Sequence, residues 1–401
     1  MTKRVLYAGS VHDEAEIDAC VEVLRSGPTA FRIGRRVAEF ERRVAELFGK
    51  RSGIAVNSGS SALYLAVELL GLPRGTEVLT SVLTFSTDVA ALVRAGLIPV
   101  FVDVEADTYN VDVDALESLI GPDTRAMLIP NLIGNAPDWD RLRAIADRHE
   151  LLVVEDSCDA LGARLRGTPT GTRSDLTVTS FAASHIITAA GNGGMVCLDD
   201  EALRDRGLLL RRWGRDSEVQ FYGSRKGDDR FLAQVDGMEY DSLFVFSELG
   251  WNFEPSELGA AFGLVQLDKL SGNRARRQEH FAAYQRYFGA HTDWFAPPVQ
   301  LEGLDTAWLA YPFVLAPGAP VDRAELQQRL EALGVDTRMV WTGNVTRQPM
   351  MRDVEYRSAP GGYPFADRIM EHALLLPCNH QMTADDVDFV CVSVDEAMTG
   401  R

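Results

Sequence analysis

A histidine that could act in catalysis, His185, lies in the segment from Ser180 to Val196. This segment reads Ser-Phe-Ala-Ala-Ser-His, continues into a glycine-rich run and ends in an apolar strand. An imidazole has an ordinary pKa of about 6.5, so it exchanges protons readily near neutral pH. A single histidine is also often structural. The segment alone therefore leaves two interpretations open, an acid–base residue or a packed side chain.

Two further sets of polar residues follow predicted strands. Asp156 comes directly after the apolar run 151–155, and the turn 57–61 (Asn-Ser-Gly-Ser-Ser) separates the strand 53–56 from an apolar helix. Ligands of parallel sheets bind beyond the carboxyl ends of the strands, and a helix N-terminus with small residues favours phosphate. The alternatives are that the serines only cap the helix and that Asp156 makes a cap or a surface ion pair.

The elements that must position these residues alternate between strand and helix. Predicted strands lie at 53–56, 77–83, 98–102, 126–130, 151–155 and 178–181, with helices at 62–70, 85–95, 113–120, 139–149 and 202–210. This alternation predicts an α/β fold with a mostly parallel sheet that is covered by helices on both faces. Residues 213–247 read as a long polar loop, and helices are expected at 257–270 and 274–288.

The pattern changes around residue 290. A strand at 308–315, a helix at 323–333, a strand at 337–340 and a closing helix at 384–398 predict a smaller α/β lobe. We therefore expect a large ligand-binding domain over residues 1–250. Connecting helices and the small C-terminal domain would occupy residues 251–401.

Charge and composition exclude several classes of partner. The 401 residues carry a net charge of -18, which argues against nucleic acid or anionic membrane as a partner. The sequence contains no apolar run of about 18 residues and no signal peptide, so a cytoplasmic protein is expected. The five widely spaced cysteines form no Cys-x-x-Cys pair, so neither a disulfide framework nor a metal site is predicted.

Four ordered motifs resemble those of the DegT-type (fold-type I) sugar aminotransferases, which depend on pyridoxal phosphate (PLP). The motifs are Asn57–Ala62, Glu155–Gly162, Ser180–His185 and Gly250–Ala261. The resemblance covers nearly the whole chain. It implies a mostly parallel sheet of the seven-stranded type, with helices on both faces and a smaller C-terminal α/β domain.

Within this family the chain is similar to the nucleotide-sugar 3-dehydratases, because His185 stands where the cofactor lysine is expected. The chain has only four lysines (Lys3, Lys50, Lys226 and Lys269), and none lies in a motif. The resemblance implies pyridoxamine phosphate (PMP) or non-covalent PLP as cofactor and a nucleotide-linked 4-keto-6-deoxyhexose as substrate. L-glutamate is a candidate amino donor. Asp159 and the segment 343–349 carry the same likeness.

The resemblance also implies roles for individual residues. His185 would take a proton from the C4′ carbon of the cofactor and protonate the departing C3 hydroxyl. The other expected cofactor-binding residues are Ser60, Ser61 and Ser180 at the phosphate, Phe85 on the ring, Asp156 at the pyridine nitrogen, Asp159 beside it, and Asn252 from the second subunit of a homodimer. Arg338, Arg347 and His380 are candidates for binding the nucleotide diphosphate or the amino donor. A surface or packing role for them and for Phe85 stays open.

Some residues depart from the pattern of the family. The stretch Trp213–Asp216 is not followed by the cysteines of the cluster-bearing dehydratases, so no iron–sulfur cluster is expected. Asn192, Glu248 and Gly259 also differ from the residues usual at their positions. These departures keep two alternatives open: a diverged PMP- or PLP-dependent elimination or rearrangement on another keto sugar, or an inactive scaffold that still binds the cofactor.

Overall fold

The computed structural model describes residues 3–227 and 233–400. Its strands are β1 (Ser52–Val56), β2 (Glu77–Ser81), β3 (Ile98–Val102), β4 (Thr124–Pro130), β5 (Leu152–Asp156), β6 (Arg164–Leu165), β7 (Thr168–Pro169), β8 (Leu176–Ser180), β9 (Gly194–Leu198), β10 (Ala233–Val235), β11 (Met238–Tyr240), β12 (Phe295–Ala296), β13 (Leu304–Asp305), β14 (Ala310–Leu315) and β15 (Ala373–Pro377). Its α-helices are α1 (Glu14–Arg25), α2 (Arg35–Leu47), α3 (Gly59–Leu69), α4 (Ser86–Arg94), α5 (Val113–Leu116), α6 (Trp139–Arg148), α7 (Glu201–Arg211), α8 (Ser217–Tyr222), α9 (Glu257–Ala290), α10 (Arg323–Leu333), α11 (Pro364–His372) and α12 (Ala384–Thr399).

The centre of the molecule is a seven-stranded sheet in the order β1-β9-β8-β5-β4-β2-β3. Within the described residues, β9 is antiparallel to both of its neighbours, and the other pairings in this sheet are parallel. The predicted mostly parallel sheet is therefore confirmed. Parallel sheets need cover on both faces, which explains why strands such as β4 and β5 are almost continuously apolar.

Successive residues of one strand face opposite layers of helices. In β4, Ala126 and Leu128 belong to the apolar cluster that includes Leu63 and Leu65 of α3. Met127 and Ile129 belong to the cluster that includes Trp139 of α6. This period of two is the geometry of a strand, so the two clusters show that helices cover both faces of the sheet.

The parallel strands bring their carboxyl ends to one edge of the sheet. Asp156 is the last residue of β5, and Ser180 is the last residue of β8. These two strands pair in parallel, with Asp156 opposite Val178. The chain leaves β1 at the same edge and passes through Asn57 into α3. Residues that are far apart in sequence therefore meet at this edge.

A second sheet, β12-β14-β15, is antiparallel and belongs to the smaller C-terminal part of the chain. The predicted strand at 337–340 is wrong, because only Arg338 pairs there, as an isolated bridge to Leu375. Strand β15 and helix α11 were not predicted. The division into domains at residue 250 stays a prediction, since the largest apolar cluster contains Val82 and Phe101 as well as Val314.

The helical pattern expected at 257–270 and continuing over 274–288 forms one helix of 34 residues, α9. The expectation of a polar loop over 213–247 is corrected. The segment 213–247 contains α8 and the hairpin β10–β11 in addition to loop. Positions 228–232 of that segment lie outside the described residues. Among the described helices, none combines the length and the apolar character needed to cross a bilayer.

Candidate active site

A cavity of about 570 Å³ opens at the carboxyl edge of the central sheet. The predicted site residues that line it are Ser60, Phe85, Asp156, Asp159, Ser180, His185 and Arg338. Asn192 lines it as well. The structure therefore brings together, in one cavity, residues from three of the four family motifs, together with Phe85 and with Arg338 of the small lobe.

The anion-binding side of the cavity is the start of α3. The Ser58 hydroxyl accepts a hydrogen bond from the backbone N–H of Ser61 at 3.1 Å and so caps the helix. A Cβ atom on Gly59 would lie 2.7 Å from the Cβ of Ser180, so only glycine lets the helix begin against that serine. Hydroxyls beside the N-terminus of an 11-residue helix fit a phosphate group.

Ser61 does not line the cavity, contrary to the role expected for it. Its hydroxyl donates to the side-chain oxygen of Asn57 at 2.6 Å and accepts from the Ser58 hydroxyl at 2.9 Å. The side chain is buried and is committed to the turn between β1 and α3. Its hydrogen bonds therefore stabilise the turn that would bind the phosphate, without lining the cavity.

Asp156 places a carboxyl at the floor of the cavity. One of its oxygens accepts the backbone N–H of Cys158 at 2.9 Å. Burial raises the pKa of Asp156, and the bonds from Cys158 act in the opposite direction. Phe85 lines the same cavity and is 48% exposed, which is a large exposure for an aromatic ring. A buried carboxyl and an open aromatic face fit a pyridine ring with a protonated nitrogen.

His185 and Asp159 form a close pair in the cavity, in which Asp159 is buried and the side chain of His185 is 17% exposed. The Nδ1 atom of His185 lies 3.6 Å from a carboxyl oxygen of Asp159. Burial, followed by the charge of Arg277, lowers the pKa of His185 to about 4, so the imidazole is neutral at neutral pH. Burial and the neighbouring Asp156 raise the pKa of Asp159 well above its usual range. A neutral imidazole is the form that accepts a proton.

Arg277 was not predicted, although its charge acts on His185. It is 1% exposed, and its guanidinium donates to the carbonyl oxygens of Trp308 and Leu309 at 3.2 and 3.0 Å. Burial lowers the pKa of Arg277 to about 10, which still leaves a cation at neutral pH. A signal was available in the sequence, because Arg277 precedes the buried residues Phe281 and Tyr284 at helical spacing.

Tyr7 is a second residue that was missed. It lines the cavity, and the guanidinium of Arg338 lies 5.1 Å from the centre of its ring. Burial, followed by the charge of Asp159, raises the pKa of the Tyr7 hydroxyl. Because this residue comes from the N-terminal segment and Arg338 from the small lobe, no local pattern could have joined them.

Three predicted residues besides Ser61 do not line the cavity of their own chain. Arg347 is exposed and pairs with Asp367 through two contacts of 2.5 Å. His380 is 3% exposed and its Nδ1 accepts from Arg277 at 3.2 Å, so a substrate does not reach it. Asn252 is exposed, and its side chain accepts a hydrogen bond from the backbone of Glu254 at 3.4 Å. Its expected role in a second subunit stays a prediction.

All four lysines lie in the described residues, and none of them lines the cavity. Lys3 pairs with Asp386 at 2.8 Å, Lys50 with Asp199 at 3.1 Å, and Lys269 with Glu16 at 2.7 Å, while Lys226 is exposed. In the part of the chain that the structure describes, no group of three or more acidic, histidine or cysteine side chains could hold a metal ion.

Characterised relatives of this chain include sugar dehydratases. A dTDP-4-dehydro-2,6-dideoxy-D-glucose 3-dehydratase from Saccharopolyspora spinosa is 33% identical, over 97% of this chain and 85% of the relative. A GDP-4-keto-6-deoxy-D-mannose 3-dehydratase from Yersinia pseudotuberculosis is 31% identical, over 94% of each chain.

Solved structures show the same similarity. The GDP-4-keto-6-deoxy-D-mannose-3-dehydratase of Escherichia coli, with bound hydrated PLP, has a TM-score of 0.88 and 27% identity, over 98% of this chain and all of that one. Two further structures of such a dehydratase each have a TM-score of 0.87 and 26% identity, over 97% of this chain and 99% of theirs. One contains GDP-perosamine, and the other contains a trapped PLP-glutamate geminal diamine. The sugar aminotransferase CalS13 from Micromonospora echinospora also matches, with a TM-score of 0.83 and 29% identity over 98% and 99% of the two chains.

The model of the DegT/DnrJ/EryC1/StrS aminotransferase family matches residues 10–395, which is nearly the whole chain. The cavity at the carboxyl edge of the sheet, with its hydroxyl-lined helix N-terminus and buried Asp156, agrees with a family whose members act on sugars. The chain therefore belongs to the DegT/DnrJ/EryC1/StrS aminotransferase family.

Proposed function

We propose that this protein is a PMP-dependent 3-dehydratase that removes the C3 hydroxyl of a nucleotide-linked 4-keto-6-deoxyhexose without an iron–sulfur cluster. The observation that carries the proposal is the imidazole of His185. It lies, neutral and largely shielded from solvent, 3.6 Å from Asp159 in a cavity that none of the four lysines lines. A lysine would bind the cofactor covalently and favour amino transfer, whereas a histidine leaves the cofactor free and only moves protons.

The cavity fits PMP at three points. Ser60 and Ser180 lie at the N-terminus of α3 for the phosphate, Phe85 offers an aromatic face, and Asp156 offers an anion for the ring nitrogen. The chemistry that PMP supplies when bound is an amine for the C4 ketone and a ring that withdraws electrons. The same residues would hold non-covalent PLP.

His185 has the proton-transfer role in this proposal. Its neutral imidazole accepts a proton from the C4′ carbon of the cofactor and returns it to the C3 oxygen as that hydroxyl leaves. Asp159 sits beside Nδ1, and shortening their 3.6 Å separation would fix the orientation of the ring. The pair is only partly exposed, with side chains that are 17% and 11% accessible, so a bound substrate would shield it further from water.

Arg338 is the remaining candidate for the diphosphate or for the carboxylate of an amino donor. It lines the cavity, and its guanidinium is held over Tyr7 and by a 2.7 Å hydrogen bond to the carbonyl of Thr337. A planar cation of this kind suits both anions. The relatives that bind GDP-perosamine and glutamate support a nucleotide sugar as substrate and L-glutamate as donor here. A homodimer, with Asn252 completing the partner's site, belongs to the same proposal.

A second candidate is a diverged elimination or rearrangement on another keto sugar. Asn192 favours it, because this neutral residue lines the cavity where an acidic residue is usual for the family. The matching aminotransferase structure makes amino transfer a further outcome that an assay must distinguish.

Product analysis tests the proposal. Purified protein is mixed with PMP, and its absorbance is followed during titration to measure binding. GDP- or dTDP-4-keto-6-deoxyhexose is then added, and the sugar is identified by mass spectrometry. Loss of the C3 oxygen supports the dehydratase. An amino sugar would indicate amino transfer, and absence of turnover despite PMP binding would contradict the dehydratase.

A further inference from the structure

Asp88 is a buried carboxyl that the proposed reaction does not use. It lies in the first turn of α4, three residues after Phe85, and is 0% exposed. One oxygen, Oδ2, accepts a short hydrogen bond from the hydroxyl of Thr84. Within residues 3–227 and 233–400, the other oxygen has no hydrogen-bond donor. A fully buried carboxylate with one unpaired oxygen is costly, so this group requires an explanation.

The side chain of Asp88 is in hydrogen-bond contact with that of Asp156. The other titratable groups that act on Asp88 are Asp159 and the thiol of Cys158. All three neighbours are acidic, and the strongest influences on the pKa of Asp88 include no cation. Two adjacent buried carboxyls without a cation do not both ionise, so Asp88 and Asp156 share one proton.

The hydrogen bonds decide which carboxyl holds the proton. Asp156 accepts the backbone N–H of Cys158 at 2.9 Å and also contacts the thiol of that residue. Asp88 receives only the hydroxyl of Thr84 among the described residues. The carboxylate with more donors is the better anion, so Asp156 ionises and Asp88 keeps the proton. The effect of burial on Asp88 agrees, because it raises the pKa of that carboxyl well above its usual range.

We propose that Asp88 is a positioning residue that holds a proton at neutral pH and donates it to Asp156, which keeps Asp156 ionised although it is buried. The consequence rests on the proposed function: an ionised Asp156 is the partner that a protonated ring nitrogen of PMP requires. If Asp88 only fixed the start of α4, its proton would have no effect on Asp156.

The matched variants are Asp88→Asn, which keeps a donor for Asp156, and Asp88→Ala, which removes it. Asp carboxyl groups are labelled with carbon-13, and their resonances are followed by NMR from pH 4 to pH 9 in cofactor-free protein. The wild type should show at pH 7 a protonated carboxyl resonance that Asp88→Asn lacks. The Asp156 midpoint should stay unchanged in Asp88→Asn and rise by about one pH unit or more in Asp88→Ala, a tenfold change in proton affinity.

PMP binding provides an independent readout. At neutral pH the Kd for PMP should rise in Asp88→Ala, because Asp156 loses a donor that stabilises its anion, and it should stay within about threefold of the wild type in Asp88→Asn, which keeps a donor. Wild-type protein that fails to bind PMP would contradict the proposed function, while the carboxyl titration still decides the role of Asp88. The proposal for Asp88 alone would be overturned if Asp88 and Asp156 were both ionised at pH 7 in the wild type. An unchanged Asp156 midpoint in Asp88→Ala would overturn it as well. If Asp88→Ala does not fold, the comparison of wild type with Asp88→Asn still decides whether Asp88 holds the proton.

Discussion

Replacing His185 by asparagine should make the protein less sensitive to mild acid. In the folded chain burial lowers the pKa of His185 to about 4, whereas the unfolded chain has an ordinary value of about 6.5. Between these two values the unfolded state binds a proton that the folded state does not bind. Stability therefore falls as the pH falls through this window, and the asparagine variant lacks that contribution.

The magnitude follows from the two pKa values. As the pH falls from 7 to 5, protonation linked to His185 should lower the free energy of unfolding by about 2 kcal/mol. Any packing energy that the substitution changes is the same at both pH values, so it cancels when the pH dependences are compared. The buried carboxyls Asp88, Asp156 and Asp159 also titrate, but they are present in both proteins, so their contribution largely cancels.

The assay is urea unfolding at a series of pH values between 5 and 7, monitored by tryptophan fluorescence. His372 provides the control, because its side chain is 50% exposed and stays in water on folding. The His372→Asn protein should follow the wild type. A constant difference between wild type and His185→Asn would refute a desolvated His185. If the wild type instead gains stability relative to His185→Asn as the pH falls, His185 is protonated in the folded chain and paired with an ionised Asp159.

Two further comparisons test the assignment of the cavity. A Cβ on Gly59 would meet Ser180 at 2.7 Å, so Gly59→Ala should cost about 1–3 kcal/mol and weaken PMP binding at least tenfold by calorimetry. The control Gly272→Ala, in an open part of α9, should stabilise by up to about 1 kcal/mol. Arg338→Ala should raise the KM for the nucleotide sugar by about tenfold, since it removes a charge-assisted contact, whereas Arg347→Ala should leave it unchanged. Equal effects of the two arginine variants would contradict the placement of the substrate.

The residues at the strand ends could be predicted from the sequence because local pattern fixes them. The sequence shows an apolar run that ends at Asp156 and a turn of small residues between β1 and α3. Each of these patterns predicts a strand and the position of its carboxyl end. Parallel pairing then brings these ends to one edge. His185 was found for a related reason, since its position in the motif of the family marks the missing lysine.

The remainder of the site depends on tertiary contacts that no short segment encodes. Tyr7 comes from the N-terminal segment and lines the cavity. Arg277 comes from the middle of α9 and acts on His185 through its charge. Both are placed by packing of distant elements. Arg347 and His380 were expected near the substrate on residue type alone. The structure instead commits Arg347 to an ion pair with Asp367 and His380 to Arg277.

The central claim is that His185 moves protons where the lysine of the family would bind the cofactor. Its most direct test is hydrogen exchange at the C4′ carbon of PMP in deuterated water with the keto sugar present, measured by mass spectrometry of the recovered cofactor. Wild-type protein should exchange this hydrogen, and His185→Asn should lose exchange by at least about a hundredfold, as expected for removal of a general acid–base residue. Unaltered exchange in a His185→Asn protein that still binds PMP would contradict the claim.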